Sequence, residues 1–117
     1  AQRLKTIHDY FSNLIQLCKV TALSYEQPNF NRGVNGFNVI KAEGVLLLLA
    51  GLHNLTTTSY SPKTIKKTLT GTGTAGKEDV EKSVNEFLNL KLTFTTDHES
   101  DACGVAITNY KITKGQS

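Results

Sequence analysis

Leu4, Ile7, Phe11, Leu14, Ile15 and Cys18 recur every three or four positions, which predicts an amphipathic helix over about residues 2 to 19. The pattern then changes. VTALSY, residues 20–25, is β-rich and mostly apolar and predicts a strand covered on both faces, with Glu26 at its carboxyl end. QPNFNRGVNG holds Pro28 and two glycines, which break regular structure and leave Phe30 and Arg32 exposed. A second helix is expected over about 35 to 53; it contains VLLLLAGL, residues 45–52, too short to span a bilayer and read as buried. LTTTSY, residues 55–60, predicts another strand, after which Ser61 and Pro62 form the cap and first-turn pair of a short helix. GTGTAG, residues 71–76, reads as a loop. Thr74 is the expected cap of a third long helix, with Val80, Val84, Phe87 and Leu88 on its apolar face and Glu78 and Asp79 in its first turn. A last helix is expected over about 98 to 110.

Alternating helices and strands argue for an α/β domain with a central sheet. Two strands do not make a stable sheet, so the remaining strands are expected upstream of residue 1. A length of 117 residues suits one domain, and 38% hydrophobic with 20% charged residues suits a soluble, globular one. The chain has no methionine and no signal peptide, and is expected to be part of a longer polypeptide of the cytoplasm. Cys18 and Cys103 sit on apolar helix faces and are read as small core residues in a reducing compartment, without a disulfide or zinc role. The net charge of +3 is mild, but Lys63, Lys66, Lys67 and Lys77 fall in a run with no acid. Such a run is either a solvated face or a surface that neutralises phosphates.

The densest chemistry lies in TTDHESDACGVAI, residues 95–107. Asp97 suits a helix N-cap, Ser100 goes with it, and acids favour the positive end of the helix dipole. His98 and Asp101 are three apart and share a helical face. With Glu26 they supply oxygen and imidazole ligands suited to Mg²⁺ or Mn²⁺. Capping alone is the competing reading; what favours a site is that the crevice of an open α/β sheet lies beyond the carboxyl ends of its strands. GTGTAGK has the spacing GxGxxG but sits between helices, so neither dinucleotide-binding nor P-loop context is met. A flexible, amide-rich basic loop against a nucleic-acid backbone stays open. His8 and His53 read as solvent or packing residues. No Ser-His-Asp or Cys-His arrangement is visible.

The order YEQPNF, KAEGVLLLLA, SPKTIKKTLTGTGTAGKEDVEKSV and HESDACGVAIT resembles the RuvC-type Holliday junction resolvases, the small phage members most of all, from about residue 20 to 110. The resemblance implies an RNase H-like fold, a mixed sheet flanked by helices, with its first strands absent from these residues. It implies four metal ligands at one end of the sheet: an Asp on the first strand, a Glu after a later strand, and two residues three apart on the last helix. Glu26 matches the second, and His98 and Asp101 match the last pair. The first-strand Asp, in a motif such as D-x-G or D-x-S, has no counterpart here. Nor does the aromatic expected three residues after Glu26, where Asn29 stands; Phe30 is the candidate to stack on bases at the crossover.

The implied activity is structure-selective hydrolysis of four-way junctions and branched DNA by two Mg²⁺ ions about 4 Å apart, with Mn²⁺ as a substitute. Lys66 and Lys77 match basic positions near the scissile phosphate. Lys63, Lys67 and Arg32 are expected to bind backbone. A homodimer through the 35–53 helix is implied, with intramolecular core the equal alternative for Val45 to Leu52. The setting implied is a bacterial or phage-infected cytoplasm, with no membrane partner. Two rival readings remain: a non-catalytic module that binds branched DNA, and a structural α/β domain whose acids only cap a helix.

Overall fold

The computed structural model describes residues 1–27 and 34–115; the side chains of residues 34–39, 97 and 115 are outside that description. Phe30 and Arg32 therefore lie outside the described residues. Among the described residues seven elements follow in the expected order: α1 (Gln2–Cys18), β1 (Ala22–Glu26), α2 (Val34–Leu52), β2 (Thr56–Tyr60), α3 (Pro62–Thr70), α4 (Lys77–Leu88) and α5 (Asp97–Gly115). β1 pairs with β2. The Thr56 amide donates to the Thr21 carbonyl at 3.3 Å and the Gln27 amide to the Tyr60 carbonyl at 2.8 Å. Both bonds fit one parallel register, with Ala22 beside Thr56 and Glu26 beside Tyr60. Parallel strands need a crossover, which α2 supplies, and their carboxyl ends then coincide.

The chain divides into two compact units, one of residues Ala1–Leu23 and Pro28–Thr57, the other of Ser24–Gln27 and Thr58–Ser117. In the first, α1 packs on α2. No residue of α1 is buried, and Cys18, expected in the core, is exposed. Cys18 closes the helix, with Lys19 beyond it in the left-handed region at φ 52, so no further turn shelters it. The VLLLLAGL run is also less buried than expected: Leu49 and Ala50 are enclosed, while Leu48 is 57% and Leu52 62% exposed. Consecutive leucines point in every direction around a helix, and one neighbouring helix covers a single side. β1 is likewise exposed at Ala22 and Glu26 and half-buried between, not covered on both faces as expected.

In the second unit α3, α4 and α5 pack against one another. Their core is Tyr60, Ile65, Leu69, Val80, Val84, Val105 and Ile107, with Phe94, Cys103 and Ile112 packed against it. Ser61 caps α3 as expected, its hydroxyl accepting from the Thr64 amide at 3.2 Å with Pro62 next in line. Gly71, at φ 92, ends α3 in a backbone conformation that glycine adopts freely, and its amide donates to the Lys67 carbonyl at 2.9 Å. α4 starts later than predicted. Gly76, not Thr74, is its cap residue, and the Gly76 amide donates to Asp79 Oδ2 at 3.3 Å. Among the described residues no helix is long and apolar enough to cross a membrane.

Candidate metal and nucleic-acid site

Glu26 is the last residue of β1, and Ser61 follows directly on Tyr60, so α3 begins at the end of the sheet where Glu26 sits. α5 delivers the other two residues of interest, His98 and Asp101, from its first turns. Its start is built differently from the expected one. The Thr96 hydroxyl, not Asp97, takes the cap position and accepts from the Glu99 amide at 3.4 Å. The Glu99 carboxylate reaches back to the Thr95 amide at 3.1 Å and the Thr95 hydroxyl at 2.7 Å. Together these form a reciprocal cap displaced by one residue. Hydrogen bonds from the Thr95 side chain and then its backbone hold the Glu99 carboxyl below its ordinary pKa. Ser100, expected at the cap, is 3% exposed and lies within the packing.

With the cap assigned to Thr96 and Glu99, the capping explanation does not account for His98 or Asp101. Both are exposed, and among the described residues neither has a hydrogen-bond or ionic partner. Glu26, His98 and Asp101 line one cleft with Ser24, Tyr25, Ala102 and Val105. Glu26 and Asp101 also line an adjoining pocket with Pro62, Ile65, Lys66 and Val80. That pocket offers about 30 Å³, against about 10–15 Å³ for one water-sized guest. Among the described residues no three His, Cys, Asp or Glu side chains converge on a single ion. The donor set nevertheless fits Mg²⁺, which keeps several waters and is held by one or two carboxylates plus substrate phosphate.

The lysines separate. Lys66, half-buried on α3, joins Glu26 and Asp101 in the pocket wall. Lys63 and Lys67 are exposed on the same helix, and Lys77 is exposed as the first residue of α4. None of these three lines either cavity. Lys63 folds over the 71–76 loop: a methyl group on Gly73 would sit 2.7 Å from its Cγ, so the close approach needs glycine there. This loop is not a free amide cradle. The Thr72 amide donates to the Thr70 hydroxyl at 3.2 Å, the Thr74 amide to the Thr72 hydroxyl at 3.4 Å and the Ala75 amide to the Thr72 carbonyl at 3.4 Å. Threonine hydroxyls satisfy the backbone that a phosphate would otherwise use. His8 is a surface residue in contact with Asp9, as read.

Sequence reasoning missed the apolar wall formed by Pro62, Ile65 and Val80 beside the two carboxylates. The available signal was Ser61-Pro62 placed immediately after a strand, which starts a helix at the functional end of the sheet.

The family model described as "Crossover junction endodeoxyribonuclease RuvC" matches residues 1–109. A protein of that name from Pseudothermotoga lettingae is 36% identical over 107 residues, covering 91% of this chain and 66% of the relative. One from Dehalococcoides mccartyi is 34% identical over 110 residues, covering 93% of this chain and 67% of the relative. The chain thus spans about two thirds of the length of the curated relatives it matches, slightly less for the first at 66%. Among solved structures, Thermus thermophilus RuvC superimposes with a TM-score of 0.89 at 27% identity, covering 98% of this chain and 70% of that one. The same protein in complex with Holliday junction substrate gives 0.91 over the same shares.

Proposed function

The chain belongs to the RuvC family, and on that premise we propose that it works within a metal-dependent endonuclease that resolves four-way DNA junctions and related branches. The observation that carries this reading is the cleft shared by Glu26, His98 and Asp101 at the carboxyl end of β1. Glu26 and Asp101 are the hard oxygen donors, and His98 joins them. Two Mg²⁺ ions, replaceable by Mn²⁺, would supply an activated water and stabilisation of the leaving 3′ oxygen when bound. Lys66 draws a phosphate toward the carboxylates and offsets charge that develops on it. Pro62, Ile65 and Val80 limit water on that side, which strengthens both effects.

Lys63, Lys67 and Lys77 bind DNA backbone around the site, and Phe30 and Arg32 are the further DNA-binding residues of this reading. The exposed leucines of α2, Leu47, Leu48 and Leu52, support a homodimer through that helix. Two copies related by a two-fold axis suit the paired cuts that a four-way junction requires. The residues belong to a single nuclease domain, acting in the cytoplasm of a bacterium or of a phage-infected cell.

The test is cleavage of an end-labelled four-way junction in Mg²⁺ by the protein that carries this chain. Asp101→Asn is expected to lower cutting by about a hundredfold or more while junction binding stays within a factor of two, because one partner of a metal site is lost without loss of basic surface. Intact protein that binds junctions and never nicks them sinks the nuclease reading in favour of a binding module.

A further inference from the structure

We propose that Tyr60 and Asn109 are positioning residues: the Tyr60 hydroxyl, donating to Asn109 Oδ1 at 2.7 Å, sets how α5 presents His98 and Asp101 to Glu26. This rests on the metal-site reading above and adds to it a control point that is not itself a ligand.

Tyr60 is 8% exposed and belongs to the apolar core with Ile65, Leu69, Val80, Val84, Val105 and Ile107. Packing alone would be satisfied by phenylalanine at that position. A buried phenol is tolerated when its hydroxyl finds an acceptor, and here the acceptor lies 49 residues away on another element. Asn109 is equally unexplained by local preference, since asparagine is a weak helix former in a helix interior. Its own carbonyl serves the helix, accepting from the Thr113 hydroxyl at 2.7 Å, so the side chain is what links α5 to the sheet.

The link falls at an informative place. Tyr60 stands beside Glu26 in the strand register, and the Gln27 amide donates to the Tyr60 carbonyl at 2.8 Å. The same residue therefore holds the strand end that carries one carboxylate and grips the helix that carries the other two site residues. Asn109 is eight residues past Asp101, about 12 Å along the helix axis. Contacts among valine and isoleucine side chains hold α5 against the core, but they carry no directional bond. A short hydrogen bond is directional, so it defines both the rotation and the axial position of the helix. Metal sites tolerate little error in ligand placement, and residues that orient ligands tune affinity strongly.

Mn²⁺ binding to the whole chain, followed by the paramagnetic resonance of free Mn²⁺ at about 0.15 M salt, tests this beside thermal melts. Tyr60→Phe and Asn109→Leu are each expected to weaken Mn²⁺ binding by about threefold to tenfold, the range of one lost hydrogen bond. The double variant should be no weaker than the worse single one, since both remove the same link. Asn109→Asp, which keeps an acceptor oxygen, should bind Mn²⁺ within a factor of two of wild type; its added charge lies beyond a Debye length of about 8 Å from Asp101. A merely structural bond would lower the melting temperature of Tyr60→Phe and leave its Mn²⁺ affinity unchanged, and that result overturns the proposal. If wild type and Asp101→Asn bind Mn²⁺ alike, or neither binds it, the metal-site reading itself is lost and this inference with it.

Discussion

The two units use similar apolar material to opposite ends. In the unit of Ser24–Gln27 and Thr58–Ser117, Val84 and Thr108 have no exposed surface and seven buried residues form a continuous core. In the unit of Ala1–Leu23 and Pro28–Thr57, the buried apolar residues among those described are Leu49 and Ala50, while Leu17 is 82% exposed. The difference arises from pattern. α3 and α4 place their apolar residues on one stripe, which closes against α5, whereas the leucines at 46–49 are consecutive and surround α2. A closed stripe fixes its neighbours, and it is this unit that carries Glu26, Lys66, His98 and Asp101. An open, all-round apolar helix leaves surface for another molecule, which accords with a dimer built on α2.

The largest effect that separates the units comes from placing a charge in each. Val84→Asp buries a carboxylate with no counter-charge in a closed core and should cost more than about 4 kcal/mol, enough to abolish a cooperative transition in urea. Leu48→Asp puts the same group on a side chain that is 57% exposed. Its effect on the stability of one protomer should stay within about 0.5 kcal/mol, while sedimentation velocity should show loss of the proposed dimer. Equal losses of stability at the two positions would dissolve the distinction between the units.

A smaller and sharper contrast uses one glycine from each unit. A methyl group on Gly104 of α5 would lie 3.0 Å from Leu69 Cδ1, with Ile65 and Val80 close behind, whereas one on Gly44 of α2 would meet nothing within 4 Å. Gly44→Ala should therefore stabilise by about 0.5–1 kcal/mol through helix propensity alone. Gly104→Ala gains the same propensity but forces α5 away from α3, at about 1–3 kcal/mol, and should be net destabilising. It should also slow junction cutting, because the helix that carries His98 and Asp101 is displaced. Paired urea titrations that give both changes the same sign would show that α5 is not held by this close approach.

These contrasts also explain what could be read in the chain and what could not. The seven elements were legible because the apolar period changes cleanly at each boundary, as at Val20 after Cys18 and at Ser61-Pro62. Periodicity tells which face of a helix is apolar but not whether anything covers it, so Cys18 read as core and is exposed. In TTD, residues 95–97, three neighbouring residues are all good caps, and the choice of Thr96 is made by the reach of Glu99 back to Thr95. Strand and helix position suggest the pairing of Glu26 with Asp101, and the resemblance sets Lys66 and Lys77 apart from Lys63 and Lys67, but choosing Lys66 over Lys77 needs the pocket wall. The Tyr60–Asn109 bond joins residues 49 apart and leaves no local trace in either segment.

The smallest effect concerns two exposed carboxylates held low by unlike causes, one in each unit. Asp9 on α1 is held below its ordinary pKa first by a hydrogen bond from the Lys5 ammonium, at 3.0 Å, and then by His8. Glu99 is held low first by the Thr95 hydroxyl and then by the Thr95 amide, both uncharged. Because each folded pKa lies below the unfolded one, each group stabilises the fold above its unfolded pKa, and that contribution disappears as the pH falls through the folded value. Salt should tell them apart. An exposed ion pair is screened, so raising NaCl from about 0.05 to 1 M should move the Asp9 titration, followed by carboxyl carbon shifts, toward higher pH. The Glu99 titration should stay nearly still, since its partners are dipoles within hydrogen-bond distance. At low pH the start of α5 should then loosen in amide exchange regardless of salt, with Thr95 and Glu99 amides first to lose protection. A Glu99 titration as salt-sensitive as that of Asp9 would mean that a charge, and not the displaced cap, holds the first turn beneath His98 and Asp101.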